Sequence, residues 1–285
     1  LSKREEIKYP EIWQLNHASK LASKQEIEEW ISNAHNHRQQ SLSRTLPYSQ
    51  EKGRNNENLI IPLNELQESI NNSLTLRETI LRRGSSRRFA RANISLSTLK
   101  TILYTSTRGV PMDIFEDGNS LTDIYFIANG VGGLAPGGYF YNQDASAAGA
   151  PNTFLEKIRE SASSRDISGY LCLGQSLFGD ASVVFFLMTD LQSALRSLGN
   201  RGYRASQFEA GIIAGNIYLA AYALGIGASG STFFDDAVTE FFSPHAGNKS
   251  AMIAIGVGVP DYKASPGKIL PPRLSKQQLL TQDFT

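Results

Sequence analysis

The run Arg82-Arg83-Gly84-Ser85-Ser86-Arg87-Arg88-Phe89 puts four guanidinium groups, two hydroxyls and a glycine into eight residues. Arginine holds phosphate-ester oxygens through bidentate, charge-assisted hydrogen bonds. Serine adds a short O–H donor, and glycine lets backbone N–H groups come close. The same run also suits a solvated basic helix end. A second stretch, Gly227-Ala228-Ser229-Gly230-Ser231, is flat and small. It suits backbone N–H groups laid against a ring system, and it equally suits an ordinary loop.

Other chemistries find little support. No G-x-x-x-x-G-K-[ST] loop occurs, and no G-x-G-x-x-G opens a helix after a strand; Gly225-Ile226-Gly227 follows a helical run instead. Gly227-Ala228-Ser229-Gly230 has the wrong spacing for a nucleophile elbow. Asp235 and Asp236 are neighbours and point apart on a helix, which fits solvation of a helix N-terminus better than acid–base work. Cys172 sits in the apolar stretch Tyr170–Leu173, as a buried structural thiol would. His35 and His37 have no cysteine or carboxylate framework around them, so they read as a solvated loop and no metal site is expected. Any redox or group-transfer chemistry then belongs to an organic cofactor.

Composition agrees. The 285 residues carry a net charge of +1, so no overall basic field points to nucleic acid. Hydrophobic content of 41% is that of a well-cored globular chain. One cysteine rules out an intrachain disulfide framework and points to a reducing cytoplasm. The charged first residues are not a signal peptide, and the longest apolar run, Ala210–Ala223, carries Asn216. A chain starting at Leu1 reads as a fragment or as one module of a longer protein.

The elements that would position these residues read as α+β. Residues 1–74 form an N-terminal helical and linker segment, and 75–285 form the main domain with a C-terminal arm. Helices are expected at 24–34, 63–70, 75–81, 97–104, 152–160, 190–198 and 208–224, the last stopped by Gly225. Gly211 and Gly215 on that helix invite a close-packed backbone. Strands are expected at 124–128 and from 139, paired as a hairpin, and at 182–189 and 251–259. Residues 49–58 read as a linker, and 263–285 as an extended arm.

These pieces, in this order, resemble the nitroreductase-like flavin oxidoreductases, and within them the peptide azoline dehydrogenases typified by streptolysin-S-type and cyanobactin oxidases. Arg83–Phe89 is similar to the R-x-S-x-R-x-F phosphate motif. Asn16-His17-Ala18-Ser19-Lys20 resembles the branch's N-terminal segment, and Val131–Tyr141 its G-L-x-P-G-x-Y-x-Y hairpin. Gly199–Arg204 with Glu209-Ala210-Gly211 and Asn216 resembles its G-x-R-x-Y-R … E-A-G helix. Leu224–Gly227 and the loop after it match the segment beside the flavin ring. The resemblance spans about residues 15–260. It implies a nitroreductase-like fold, with a central mixed or antiparallel sheet flanked by helices and one buried core helix.

It also implies an FMN-dependent dehydrogenase that oxidises thiazolines or oxazolines to azoles in a ribosomally made precursor peptide. It would work as a homodimer alongside other enzymes of the same pathway. By resemblance Arg83, Gly84, Ser85 and Arg87 hold the phosphate and ribityl oxygens. Ala228, Ser229 and Gly230 approach the ring with backbone N–H groups, while Asn216 and Gln175 line its pocket. Arg82, Arg88 and Arg91 are left for dimer, peptide or solvent contacts. The branch's Lys-Tyr pair is here Ser197-Leu198, and neither residue is a base. Tyr203, between Arg201 and Arg204, and His245 are the stand-ins. An NAD(P)H-dependent nitro- or quinone reductase and a non-catalytic partner domain are the alternatives.

Overall fold

A computed structural model describes residues 9–41, 60–63, 74–108, 110–112, 120–142 and 153–262; the side chains of 33–41 and of Ile60 are outside that description. The expected linker 49–58, the helix beyond Leu63 and the C-terminal arm therefore lie outside the described residues. His35 and His37 fall within a helix rather than a loop.

Seven strands form one sheet: β1 (Ile60–Pro62), β2 (Thr122–Ala128), β3 (Gly137–Asn142), β4 (Phe154–Glu160), β5 (Val183–Thr189), β6 (Gly227–Ser231) and β7 (Ser250–Gly258). Their order is β1-β4-β3-β2-β5-β7-β6, and every neighbouring pair is antiparallel. β2 and β3 form the expected hairpin, with Phe126 opposite Tyr139. The period-2 alternation of strands then builds two cores. Phe126, Phe185, Ile255 and Ala228 face one way. Tyr125, Ile127, Phe186 and Met188 face the other. Because β5 is covered on both faces, its sequence is apolar throughout rather than alternating.

Nine helices lie among the described residues: α1 (Pro10–Ala18), α2 (Lys24–Ser41), α3 (Leu76–Arg82), α4 (Leu96–Thr107), α5 (Ser164–Leu171), α6 (Ser176–Asp180), α7 (Leu191–Leu198), α8 (Arg201–Ala223) and α9 (Asp235–Phe242). Their starts are chemically specified. Thr75 and Glu78 make a capping box at α3. Ser95 accepts the Thr98 N–H at α4, and Asp190 accepts the Ser193 N–H at α7. α8 crosses one face of the sheet and buries Ala210, Ile213, Ala214, Ile217 and Ala221 in the first core. It stops where Gly225 takes a left-handed φ of +77°.

Two further expectations are corrected. Residues 152–160 do not form a helix; from Phe154 they form β4, between β1 and β3. The apolar spacing of Phe154, Leu155 and Ile158 suits a helix turn, and cross-strand pairing overrides it. Glu156, polar on paper, is fully buried there, with a carboxylate oxygen 3.8 Å from the His245 ring. Residues 227–231 are not a loop but the edge strand β6. Small residues weaken a strand's own signal, and only pairing with β7 reveals it. Cys172 is buried as expected, and burial pushes its thiol up to about 12.

The N-terminal helices dock where α7 turns into α8. Trp30 Nε1 donates to the Leu198 carbonyl at 2.9 Å, and the Arg201 guanidinium stands 5.2 Å from the Trp30 ring centroid. Arg201 donates to the Ser19 carbonyl and Arg204 to the Ser19 hydroxyl. The Asn16–Lys20 and Gly199–Arg204 motifs, about 180 residues apart, are thus one structural joint.

Candidate functional site

β6 ends the sheet, so alternate residues along it turn backbone groups to an unpaired edge. The arginine run lies along that edge. The Ser86 N–H donates to the Ala228 carbonyl at 2.8 Å, and Ala90 N–H donates to Val259 O at 2.9 Å. Ser86 is buried, and a Cβ at Gly227 would fall on its hydroxyl and come within 2.9 Å of Pro260. Glycine at 227 is therefore what lets the run approach β6. The run itself emerges from α3, whose C-terminal residue is Arg82.

A cavity of about 330 Å³ opens between this run, β6 and α8. That is within the range of cofactor and small-ligand sites. Arg83, Gly84 and Ser85 form one wall, Ala214, Gly215 and Tyr218 of α8 another, and Gly230, Ile253 and Ile255 the sheet side. One end is thus cationic and hydroxylated, and the rest is apolar apart from the Tyr218 phenol. Gly215 is open: a Cβ there would meet nothing within 4 Å. Among the described residues, neither Arg83 nor Arg87 has a carboxylate within ion-pair distance. An uncompensated guanidinium beside a hydroxyl at a cavity wall suits a phosphate ester, and the apolar floor suits a flat ring. The residues present fit FMN.

The structure brings together Arg83, Gly84, Ser85 and Gly230 around the cavity. Ala228 faces the same core through its side chain and holds the run through its carbonyl. Ser229, buried, is paired with Gly256 of β7. Arg87 is outside the cavity wall; its N–H donates to the Tyr262 hydroxyl at 2.9 Å. Gln175 sits at the end of β6, donating to Ser231 Oγ and Cys172 O, both at 2.9 Å. Asn216 turns to α4 and donates to the Ser106 carbonyl at 3.3 Å. Arg91 pairs with Asp180 at 3.1 Å.

The two stand-in bases lie elsewhere. Tyr203 is three helical turns before Ala214, about 16 Å along α8. Its hydroxyl accepts a hydrogen bond from Gln207. His245 belongs to the opposite side of the sheet, where Nδ1 meets the Tyr125 hydroxyl at 2.8 Å and the ring packs on Phe140. Burial, reinforced by the Lys249 ammonium and opposed by Asp123, lowers it to about 4. Ser197 and Leu198 are structural: the serine hydroxyl donates to Ser193 O, and Leu198 is buried.

Sequence reading missed Tyr218. Its hydroxyl accepts the Gly230 N–H in a short hydrogen bond and lies 3.5 Å from Ser85 Oγ. Gly215, expected to invite a close-packed backbone, has none against it among the described residues. The available signal was spacing. Gly215 and Tyr218 are three residues apart, so an open position and a phenol share one face of a buried helix.

Residues 141–259 match the nitroreductase family. A Methanocaldococcus jannaschii protein, named a nitroreductase by inference, is 24% identical over 59% of this chain and 83% of its own length. A crystal structure from Anabaena variabilis, named in the same way, is 28% identical with a TM-score of 0.56; the match covers 65% of this chain and 38% of that one. A second such structure, from Ralstonia eutropha, has a TM-score of 0.55 at 19% identity, over 72% of this chain and 90% of that one. A chain of the Escherichia coli microcin synthetase McbBCD complex, with truncated pro-MccB17 bound, has a TM-score of 0.52 at 16% identity; the match covers 92% of this chain and 100% of that one. The chain has the nitroreductase fold, and its residues 141–259 match the nitroreductase family.

Proposed function

We propose that this chain is an FMN-dependent oxidoreductase that oxidises azoline rings in a ribosomally made peptide to azoles. The cavity carries the cofactor half of the reading: a free guanidinium and a hydroxyl on one wall, and an apolar floor on the other. Bound there, FMN supplies the two-electron acceptor that ring aromatisation requires. Arg83 and Ser85 would hold the phosphate end, with Ala214, Ile253 and Ile255 lining the apolar side of the cavity. The peptide half draws on the likeness to the microcin synthetase chain, which is matched over its whole length and whose complex holds a peptide. The joint between the Asn16–Lys20 and Gly199–Arg204 motifs also supports it.

The flavin-loaded chain, incubated in air with an azoline-containing peptide, is expected to lower the peptide's mass by two hydrogens per ring. An unchanged peptide, together with NAD(P)H-driven reduction of a quinone, would move the activity to the small-molecule reductases.

A second reading has its own observation. Ser197 and Leu198 are tied into the α7–α8 corner, and neither named stand-in base reaches the cavity. That favours a flavin-binding partner domain within a larger peptide-modifying complex. It predicts no turnover by the chain alone and turnover when a partner chain is added.

A further inference from the structure

We infer that Tyr218 is the hydrogen-bond donor of the cavity, standing between the backbone N–H of Gly230 and the ligand. The inference rests on the FMN reading above. Along the free edge of β6 two outward groups are already committed. The Ala228 carbonyl takes the Ser86 N–H, and two residues on, the Gly230 N–H is taken by the Tyr218 hydroxyl. Ser229, between them, turns its backbone groups into the ladder opposite Gly256. Neither N–H of this pair is left to meet a ring directly.

A phenol oxygen has one proton and two acceptor positions. Once Gly230 occupies an acceptor position, the proton remains to be donated. Ser85 Oγ, at 3.5 Å, is at the outer limit of hydrogen-bond distance. The cavity is the direction left, and Tyr218 lines it. An N–H bonded to the phenol oxygen polarises the O–H and strengthens it as a donor. Arg83 is the charged donor of the cavity, and its place beside Gly84 and Ser85 matches it to the anionic end of a ligand. Tyr218 is then matched to a carbonyl or ring nitrogen on the polar edge of the flat end.

The test compares the full chain with Tyr218→Phe, which keeps the ring and removes the donor. Both are titrated with FMN by quenching of flavin fluorescence, and the reduction potential of the bound flavin is measured against reference dyes. The variant is expected to bind FMN about fivefold more weakly, as one neutral hydrogen bond is lost. Its potential is expected to be more negative, because a donor at the ring edge favours the electron-rich reduced form. Binding as tight as the parent's with an unchanged potential overturns the inference and leaves Gly230 as its own donor. If the parent itself does not bind FMN, the flavin reading fails and the inference falls with it, so the parent titration separates the two failures. Amide hydrogen exchange on the ligand-free proteins gives an independent arm. Exchange at Gly230 is expected to quicken in Tyr218→Phe, and an unchanged rate overturns the inference whatever the flavin result.

Discussion

Arg83 and His245 show how burial sorts ionisable groups into binding and structural roles. Arg83 is exposed on a cavity wall with no described carboxylate partner, so its charge is available to a ligand. Arg83→Ala should weaken FMN binding by one to two orders of magnitude, the worth of a charge-assisted bond, and leave the thermal midpoint nearly unchanged; a fluorescence titration beside a melt reads both. His245 is enclosed by Tyr125, Phe140, Glu156 and Lys249, and its pKa is held down at about 4. The unfolded chain therefore binds this proton at a higher pH than the folded one. The stability His245 contributes is present above the ordinary histidine range and is lost as pH falls from about 6.5 toward 4. Urea midpoints measured across that window should fall, and should fall less steeply in His245→Gln. The arginine run was legible in the sequence because its charge density and spacing stand out. His245 was not, because only the fold shows which side of the sheet it occupies.

At the scale of elements, α8 and β6 do opposite things with glycine. Gly227 is needed for contact: any Cβ collides with Ser86, so Gly227→Ala should push the arginine run off the sheet edge at about 1–3 kcal/mol. Gly215 is needed for space. Gly215→Leu should fill the cavity and lower FMN affinity more than tenfold, with stability unchanged or raised by up to about 1 kcal/mol through better helix propensity. Finding both losses in one variant would contradict the division. Glu209 is a third device. Its buried carboxylate accepts the Leu121 N–H at 2.8 Å and fixes the chain entering β2, while burial raises its pKa. Glu209→Ala should cost about 2–3 kcal/mol in urea melts. The strands β2, β5 and β7 and the helix α8 were legible because their apolar periodicity is long. β4 and β6 were not, for one hides a buried glutamate and the other consists entirely of glycine, serine and alanine.

The whole molecule leaves several large apolar side chains exposed. Leu76, Ile80 and Leu81 of α3 and Phe208 of α8 are exposed, and α3 packs on α8. A homodimer, as the resemblance implies, would cover residues of this kind. Light scattering should then give about twice 31.3 kDa, and Phe208→Asp should shift the chain toward monomer. Protein purified in the presence of FMN should be yellow, carry a flavin absorption band in stoichiometric amount, and lose that band in Arg83→Ala. Colourless protein that leaves FMN fluorescence unquenched at any concentration tried would contradict the account.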